Sequence, residues 1–169
     1  GYQLRREGDY GGAIKYYTMA LQAEPNHFKA LFNRGFAHDK LGDYEAAITD
    51  YTNSLYLEPR NAFAFYNRGI SRDRSGHFDE AYLDFSEAIA LVPDNPDFFH
   101  NRAFCLRKLG RIVEAVADYT ECLKIAPGHF KARHNRGYCY ECLNETNLAL
   151  EAFSAALETD PSHIGTWSA

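Results

Sequence analysis

Four short runs in the chain offer the same chemistry: Asn33-Arg34-Gly35, Asn67-Arg68-Gly69, Asn101-Arg102-Ala103 and Asn135-Arg136-Gly137. An asparagine amide carries two donors and an acceptor, so it can match the N–H and C=O of another chain's backbone. An arginine is always charged and needs a carboxylate if it leaves water. This is the chemistry of recognition. No set of catalytic side chains accompanies it: the seven histidines (His27, His38, His77, His100, His129, His134, His163) form no metal-ligand or triad arrangement. Cys139-Tyr140-Glu141-Cys142 has redox or metal spacing, but tetrahedral zinc needs four ligands and no second close pair stands nearby. These cysteines read as small apolar helix residues. The expectation is no catalytic residue, no metal and no cofactor.

The arginines have two candidate sets of partners. Asp50, Asp84 and Asp118 follow Arg34, Arg68 and Arg102 by 16 residues, and precede Arg68, Arg102 and Arg136 by 18. Ala152 breaks the first scheme at its last step, and Tyr16 breaks the second at its first. Both registers remain open at this stage, and either gives structural ion pairs that fix helix geometry.

The asparagines share a stripe with residues one helical turn away, Asn33 with Lys29 and Phe36, Asn67 with Phe63 and Ile70, which points away from the packed side. The expected binding face contains Asn33, Asn67, Asn101 and Asn135 with Phe36, Tyr66, Ile70, His100, Phe104, His134 and Tyr138, joined by Phe32. The rings read equally as core or as an apolar binding patch, and the asparagines as backbone holders or as helix-packing groups. Lys29, Arg74, Arg107, Lys108 and Lys131 could add basic contacts, offset by Asp39, Asp73, Asp97 and Glu141. His27, His129 and His163 fall at equivalent corners and are expected to be solvated.

What must position these residues is a repeat of 34. Pro25, Pro59, Pro93, Pro127 and Pro161 recur at that interval, as do Ala13, Ala47, Ala81, Ala115 and Ala149. Within each unit Gly8, Gly42, Gly76 and Gly110 interrupt two amphipathic stretches, and Asn144 takes the fifth place. Gly and Asn best tolerate the left-handed backbone that ends a helix in a tight turn. The small alanines let two helices approach, while Tyr51, Phe85 and Tyr119, then Leu55, Ile89 and Leu123, carry the apolar stripe onward. One hairpin cannot bury both faces, so neighbours must stack.

This pattern resembles the tetratricopeptide repeat family across essentially the whole chain. The unit Ala62 to Asn95 carries it best, in Phe65, Gly69, Ala81, Phe85, Ala88 and Pro93. The resemblance implies an all-α fold, a right-handed α-solenoid of stacked antiparallel helix hairpins whose concave surface is lined by the first helices. It divides a single array, 1–169, into a partial repeat 1–27, full repeats 28–61, 62–95, 96–129 and 130–163, and the start of a further helix at 164–169 with Trp167 in the favoured aromatic slot. Both ends are expected to be cut from a longer array. One asparagine per step is similar to the asparagine ladder of some peptide-binding relatives, whereas Phe32 and Phe36, or Tyr66 and Ile70, replace the lysine and second asparagine of a chaperone carboxylate clamp.

Composition bounds the partners. A net charge of −5 with interspersed signs leaves no cationic field for a phosphate backbone, so no nucleic acid partner is expected. Apolar runs of only a few residues predict no membrane insertion. Four cysteines (Cys105, Cys122, Cys139, Cys142) without disulfide spacing point to a reducing, cytoplasmic setting, a cytoskeletal or ciliary assembly included. Asn144-Glu145-Thr146 matches the glycosylation sequon, but no secretory leader is expected. The expected function is a non-catalytic scaffold or adaptor for a protein or peptide partner. The alternatives are the substrate-recognition arm of a larger enzyme such as a glycosyltransferase, and an architectural subunit of a cytoskeletal, ciliary or transport complex.

Overall fold

Helices end in this chain wherever a residue adopts a positive φ. Gly42 and Gly76 have φ of 82° and 87°, and Asn144 reaches 59°. At Gly42 the turn is closed by Asp43 N–H to His38 C=O and Gly42 N–H to Asp39 C=O, both 3.0 Å, the two bonds of a Schellman motif. Equivalent pairs close the turns at Gly8, Gly76, Gly110 and Asn144. The exchange of Gly for Asn therefore preserves both backbone angle and hydrogen bonding.

The computed structural model describes residues 1–159, which fall into two compact units, 1–92 and 93–159. The first contains α1 (Tyr2–Arg6), α2 (Tyr10–Ala23), α3 (Phe28–Lys40), α4 (Tyr44–Leu57), α5 (Ala62–Arg74) and α6 (Phe78–Leu91). Hairpins α3–α4 and α5–α6 pack internally, and α2 on α3 and α4 on α5 stack one hairpin on the next. The second unit contains α7 (Pro96–Lys108), α8 (Ile112–Ile125), α9 (Phe130–Cys142) and α10 (Thr146–Thr159), paired as α7–α8 and α9–α10 and joined through α8 and α9. Pro161, His163 and Trp167 lie outside the described residues, and so does the expected helix start at 164–169.

Side chains cap the starts of α2, α3, α4, α5, α7 and α9. Asp9 and Asp43 accept from Gly12 and Ala46 N–H, and Asn61 from Ala64 N–H. His27 and His129 do the same with Nδ1, accepting from Ala30 at 3.3 Å and Ala132 at 3.0 Å. This corrects the expectation that these two histidines are merely solvated corners: an orphan N–H at the helix start recruits the ring nitrogen.

Each hairpin closes on the alanines and aromatics of the repeat. Ala47, Ala81 and Ala115 are fully buried, and so, within 1% of full burial, are Tyr51, Phe85 and Tyr119. Burying one such ring contributes roughly 1.5–3 kcal/mol. Gly35 and Gly69 admit these rings from the opposite helix: a Cβ at Gly69 would stand 2.8 Å from Phe85 Cε1, and one at Gly35 3.2 Å from Tyr51 Cε1. Glycine inside a helix is tolerated here because close packing offsets its lower propensity.

Candidate functional site

The arginines of the repeated motif are framework residues. Arg34 grips Asp50 with Nε and Nη2, at 2.8 and 2.7 Å, and Arg68 grips Asp84 in the same bidentate fashion at 3.0 and 2.7 Å. In the second unit Arg102 holds Asp118 at 2.7 and 2.8 Å. The register is thus within the repeat, 16 residues apart, and of the two arrangements open to the sequence it is this one that forms. Asp50 raises the pKa of the Arg34 guanidinium by accepting its hydrogen bonds, and burial opposes the rise. Asp84 receives Arg72 as well, at 2.7 Å.

The third guanidinium nitrogen reaches back to the preceding hairpin. Arg34 Nη1 donates to Thr18 Oγ1 at 3.2 Å, Arg68 Nη1 to Thr52 at 3.1 Å and Arg136 Nη1 to Thr120 at 3.2 Å. These hydroxyls join successive hairpins through the guanidinium groups. Their signal was present in the sequence, because Thr18, Thr52, Ser86, Thr120 and Ser154 recur at the repeat interval. Arg136 differs from the others: Ala152 supplies no carboxylate, and the Arg136 Nε is buried with no hydrogen-bond partner among the described residues.

The asparagines are pinned to their own helices. Asn33 Nδ2 donates to Lys29 C=O at 2.6 Å, Asn67 to Phe63 C=O at 2.7 Å and Asn101 to Asp97 C=O at 2.8 Å. One donor of each amide is spent on fixing the side chain. In the first unit Asn33 Oδ1 accepts from Arg5 Nη1 at 2.9 Å. In the second, Asn135 Nδ2 lies 3.4 Å from His100 Nε2.

The rings divide by position. Phe32, Tyr66, His100 and His134 are half-buried, each facing the second-helix ring of its own hairpin: Tyr51 at 5.6 Å, Phe85 at 6.0 Å, Tyr119 at 5.8 Å and Phe153 at 5.6 Å between centroids. One turn further on, Phe36 is flanked by Arg5 and Lys40, and Phe104 by Arg107 and Lys108, all about 5 Å from the ring centroids. Ile70 is half-buried and Tyr138 is exposed. Arg74 is not an open basic contact, since its guanidinium pairs with Asp39, whose other oxygen accepts the Ser71 hydroxyl at 2.8 Å. Burial drives this pairing, because Asp39 is 7% exposed and cannot remain an unmatched charge.

Titration behaviour separates the groups. His100 is held down to about 4, first by burial and then by His129, whose ring lies 4.8 Å away, while Asp97 opposes the shift and Lys131 adds to it. Burial raises the Tyr51 and Tyr119 hydroxyls, keeping both phenols neutral. It also pushes the Cys122 and Cys139 thiols up to about 11. Cys142 is exposed, so the Cys139–Cys142 pair splits between core and solvent.

With this geometry in hand, sequence and structure comparisons agree on the class. Tetratricopeptide repeat profiles match residues 28–61, 62–95, 96–129 and 130–163, and the chain belongs to the tetratricopeptide repeat family. Its fold is the α-solenoid of stacked helical hairpins shared by tetratricopeptide repeat proteins of known structure. A crystal structure of MamA is similar with a TM-score of 0.91 at 26% identity, covering 96% of this chain and 95% of that one. MamA 41-end from Desulfovibrio magneticus RS-1 gives 0.91 at 20% identity over 96% and 92%. YrrB, described as a TPR protein with an unusual peptide-binding site, gives 0.85 at 21% identity over 96% and 84%. No curated sequence matches the chain. Among the described residues no helix is long and apolar enough to cross a membrane.

Proposed function

We propose that the chain is a non-catalytic protein-interaction scaffold that holds an extended segment of a partner against its first-helix faces, with Asn33, Asn67, Asn101 and Asn135 contacting the partner's backbone. The observation that supports this most is the back-bonding of Asn33, Asn67 and Asn101 to the carbonyl four residues earlier. It fixes each amide before a ligand arrives, so less side-chain entropy is lost on binding. Stacked helices lie roughly 8–10 Å apart, and an extended chain advances about 3.3–3.6 Å per residue. One asparagine then meets every third ligand residue or so. Cation-flanked Phe36 and Phe104, with Ile70 and exposed Tyr138, supply side-chain pockets between these backbone contacts.

A library of unstructured peptides screened against the wild type and against an Asn67→Ala, Asn101→Ala double variant tests this reading. Peptides should bind the wild type, and the variant should lose at least about tenfold in affinity, the equivalent of roughly 1.4 kcal/mol, while its thermal melting stays unchanged. Equal binding by the folded variant would overturn the role of the asparagines. Unfolding of the variant would assign them to helix packing.

A further inference from the structure

The α9–α10 hairpin departs from its counterparts at three neighbouring positions. Ala152 stands where Asp50, Asp84 and Asp118 stand, Arg133 where Leu31, Phe65 and Phe99 stand, and Ala155 where Asn53, Glu87 and Glu121 stand. Around Arg136 the hairpin has therefore lost its carboxylate and gained a second guanidinium. Arg136 keeps the rest of the arrangement, with Nη1 on Thr120 at 3.2 Å. Its Nε, which in Arg34, Arg68 and Arg102 donates to an aspartate, is buried and has no acceptor among the described residues.

A cavity of about 260 Å³ opens at this place, lined by Arg133, Arg136, Tyr140, Leu148, Glu151 and Ala152 among others. A water takes about 30 Å³ of the liquid, so the space admits a side chain as well as a small ion. Arg133 is turned to backbone carbonyls, donating to Ala155 C=O at 2.7 Å and to Pro127 C=O, and contributes charge without closing the cavity. Glu151 is exposed on the rim.

We propose that this pocket binds a carboxylate in the place of the missing aspartate, and that its source is an aspartate or glutamate side chain of a partner protein. A guanidinium edge accepts two coplanar oxygens, which a carboxylate presents. The walls at Tyr140, Leu148 and Ala152 suit a singly charged, planar group, and Glu151 on the rim repels a dianion such as phosphate. The site uses none of the asparagines, so it stands or falls independently of the peptide-binding reading.

Thermal melting of the whole chain at pH 7 tests it, in sodium acetate against sodium chloride at equal ionic strength. Acetate should raise the wild-type Tm by about 2–4 °C over chloride. Ala152→Asp, which restores the internal partner, should melt about 2–4 °C above wild type without acetate and lose the acetate response. Arg136→Gln should also lose it. A blocked peptide with internal Asp and Glu, compared with its Asn/Gln counterpart, separates the sources: stabilisation at lower concentration than acetate assigns the site to a protein side chain, and stabilisation by acetate alone overturns that assignment in favour of a free carboxylate. Equal responses to acetate and chloride, or equal acetate responses in wild type and Ala152→Asp, overturn the site itself. A fall in Tm with Glu151→Gln as large as with Arg136→Gln would make Glu151 the resident carboxylate and overturn it too.

Discussion

Three positions that link successive first helices in the first unit carry different chemistry in the second. In the first unit Asp39 of α3 joins Ser71 and Arg74 of α5 through a buried carboxylate. Sixty-eight residues on, the second unit has Arg107, Cys139 and Cys142 at those places. Arg107 lies over the Phe104 ring at 4.9 Å, and its buried Nε has no hydrogen-bond partner among the described residues. There the approach of α7 and α9 is marked by His100 and Asn135 instead. Helix spacing is set by the alanines, glycines and rings of each hairpin, so the polar link between first helices is left to vary. A histidine in the link brings a group that titrates in the acid range, since burial holds His100 down to about 4.

Removing carboxylates should show the largest effects and the clearest contrast. Asp84 is 2% exposed and holds both Arg68 and Arg72, whereas Asp118 at the equivalent place has Leu106 where Arg72 would be. Asp84→Ala strands two partly buried guanidinium groups and should cost roughly 3–5 kcal/mol in urea denaturation. Asp118→Ala should cost about 1 kcal/mol less, one charge-assisted hydrogen bond fewer being lost. Equal losses would mean that Arg72 adds nothing in the first unit.

The link itself comes next. Asp39→Ala leaves the fully buried Ser71 hydroxyl without its acceptor, at a cost of about 1–3 kcal/mol. Arg107→Met, at the same place in the second unit, should change stability by less than about 1 kcal/mol, because the aliphatic stem still packs and only a cation–π contact is lost. A large loss on Arg107→Met would remove the contrast between the units.

How much of this the sequence disclosed follows from what a repeat interval can encode. Recurrence of Pro25 and Ala13 with their counterparts, and of Gly42 with its substitute Asn144, marks helix ends and close contacts because those demands are local to one residue type. Pairing is not local. Offsets of 16 and 18 both place an aspartate near Arg68, and only the orientation of α6 against α5 chooses Asp84. The hydroxyls of Thr18, Thr52 and Thr120 were visible in the interval but carried no chemical demand until the third guanidinium nitrogen needed an acceptor. Among the candidate site residues, the sequence placed Phe36 and Tyr66 alike on one stripe. It did not separate Phe36, held between cations, from Tyr66, tilted against Phe85, because only the packed hairpin shows that the earlier turn meets the second-helix ring and the later turn does not.

A smaller and pH-dependent effect belongs to the second unit. In the unfolded chain His100 takes a proton near its ordinary value of 6.5, whereas in the fold it stays neutral down to about 4. Between those values the unfolded state binds more protons, so the His100 contribution to stability is complete above about pH 6.5 and declines as pH falls towards 4. The shift amounts to at most about 3 kcal/mol over that window. The stability difference between wild type and His100→Phe should therefore vary with pH between 6.5 and 4 and be constant above. Asp97, His129 and Lys131, the charged and titratable groups that act on the ring, all remain in the variant. A pH-independent difference would show that His100 is not the titrating element of this link.

The finest probe also reports on the second unit, since Cys105, Cys122, Cys139 and Cys142 all belong to it. Iodoacetamide reacts with thiolates, and only Cys142 is exposed. Cys122 and Cys139 carry little thiolate at neutral pH because burial holds them near 11. Mass spectrometry of the native chain should find one rapid adduct, on Cys142, with the buried thiols following only as fast as the unit opens. Asp118→Ala should accelerate that slow phase and leave the Cys142 rate unchanged. If a buried thiol instead reacts as fast as Cys142, α8 and α9 separate readily in solution, and the neutral link of the second unit is weaker than its packing implies.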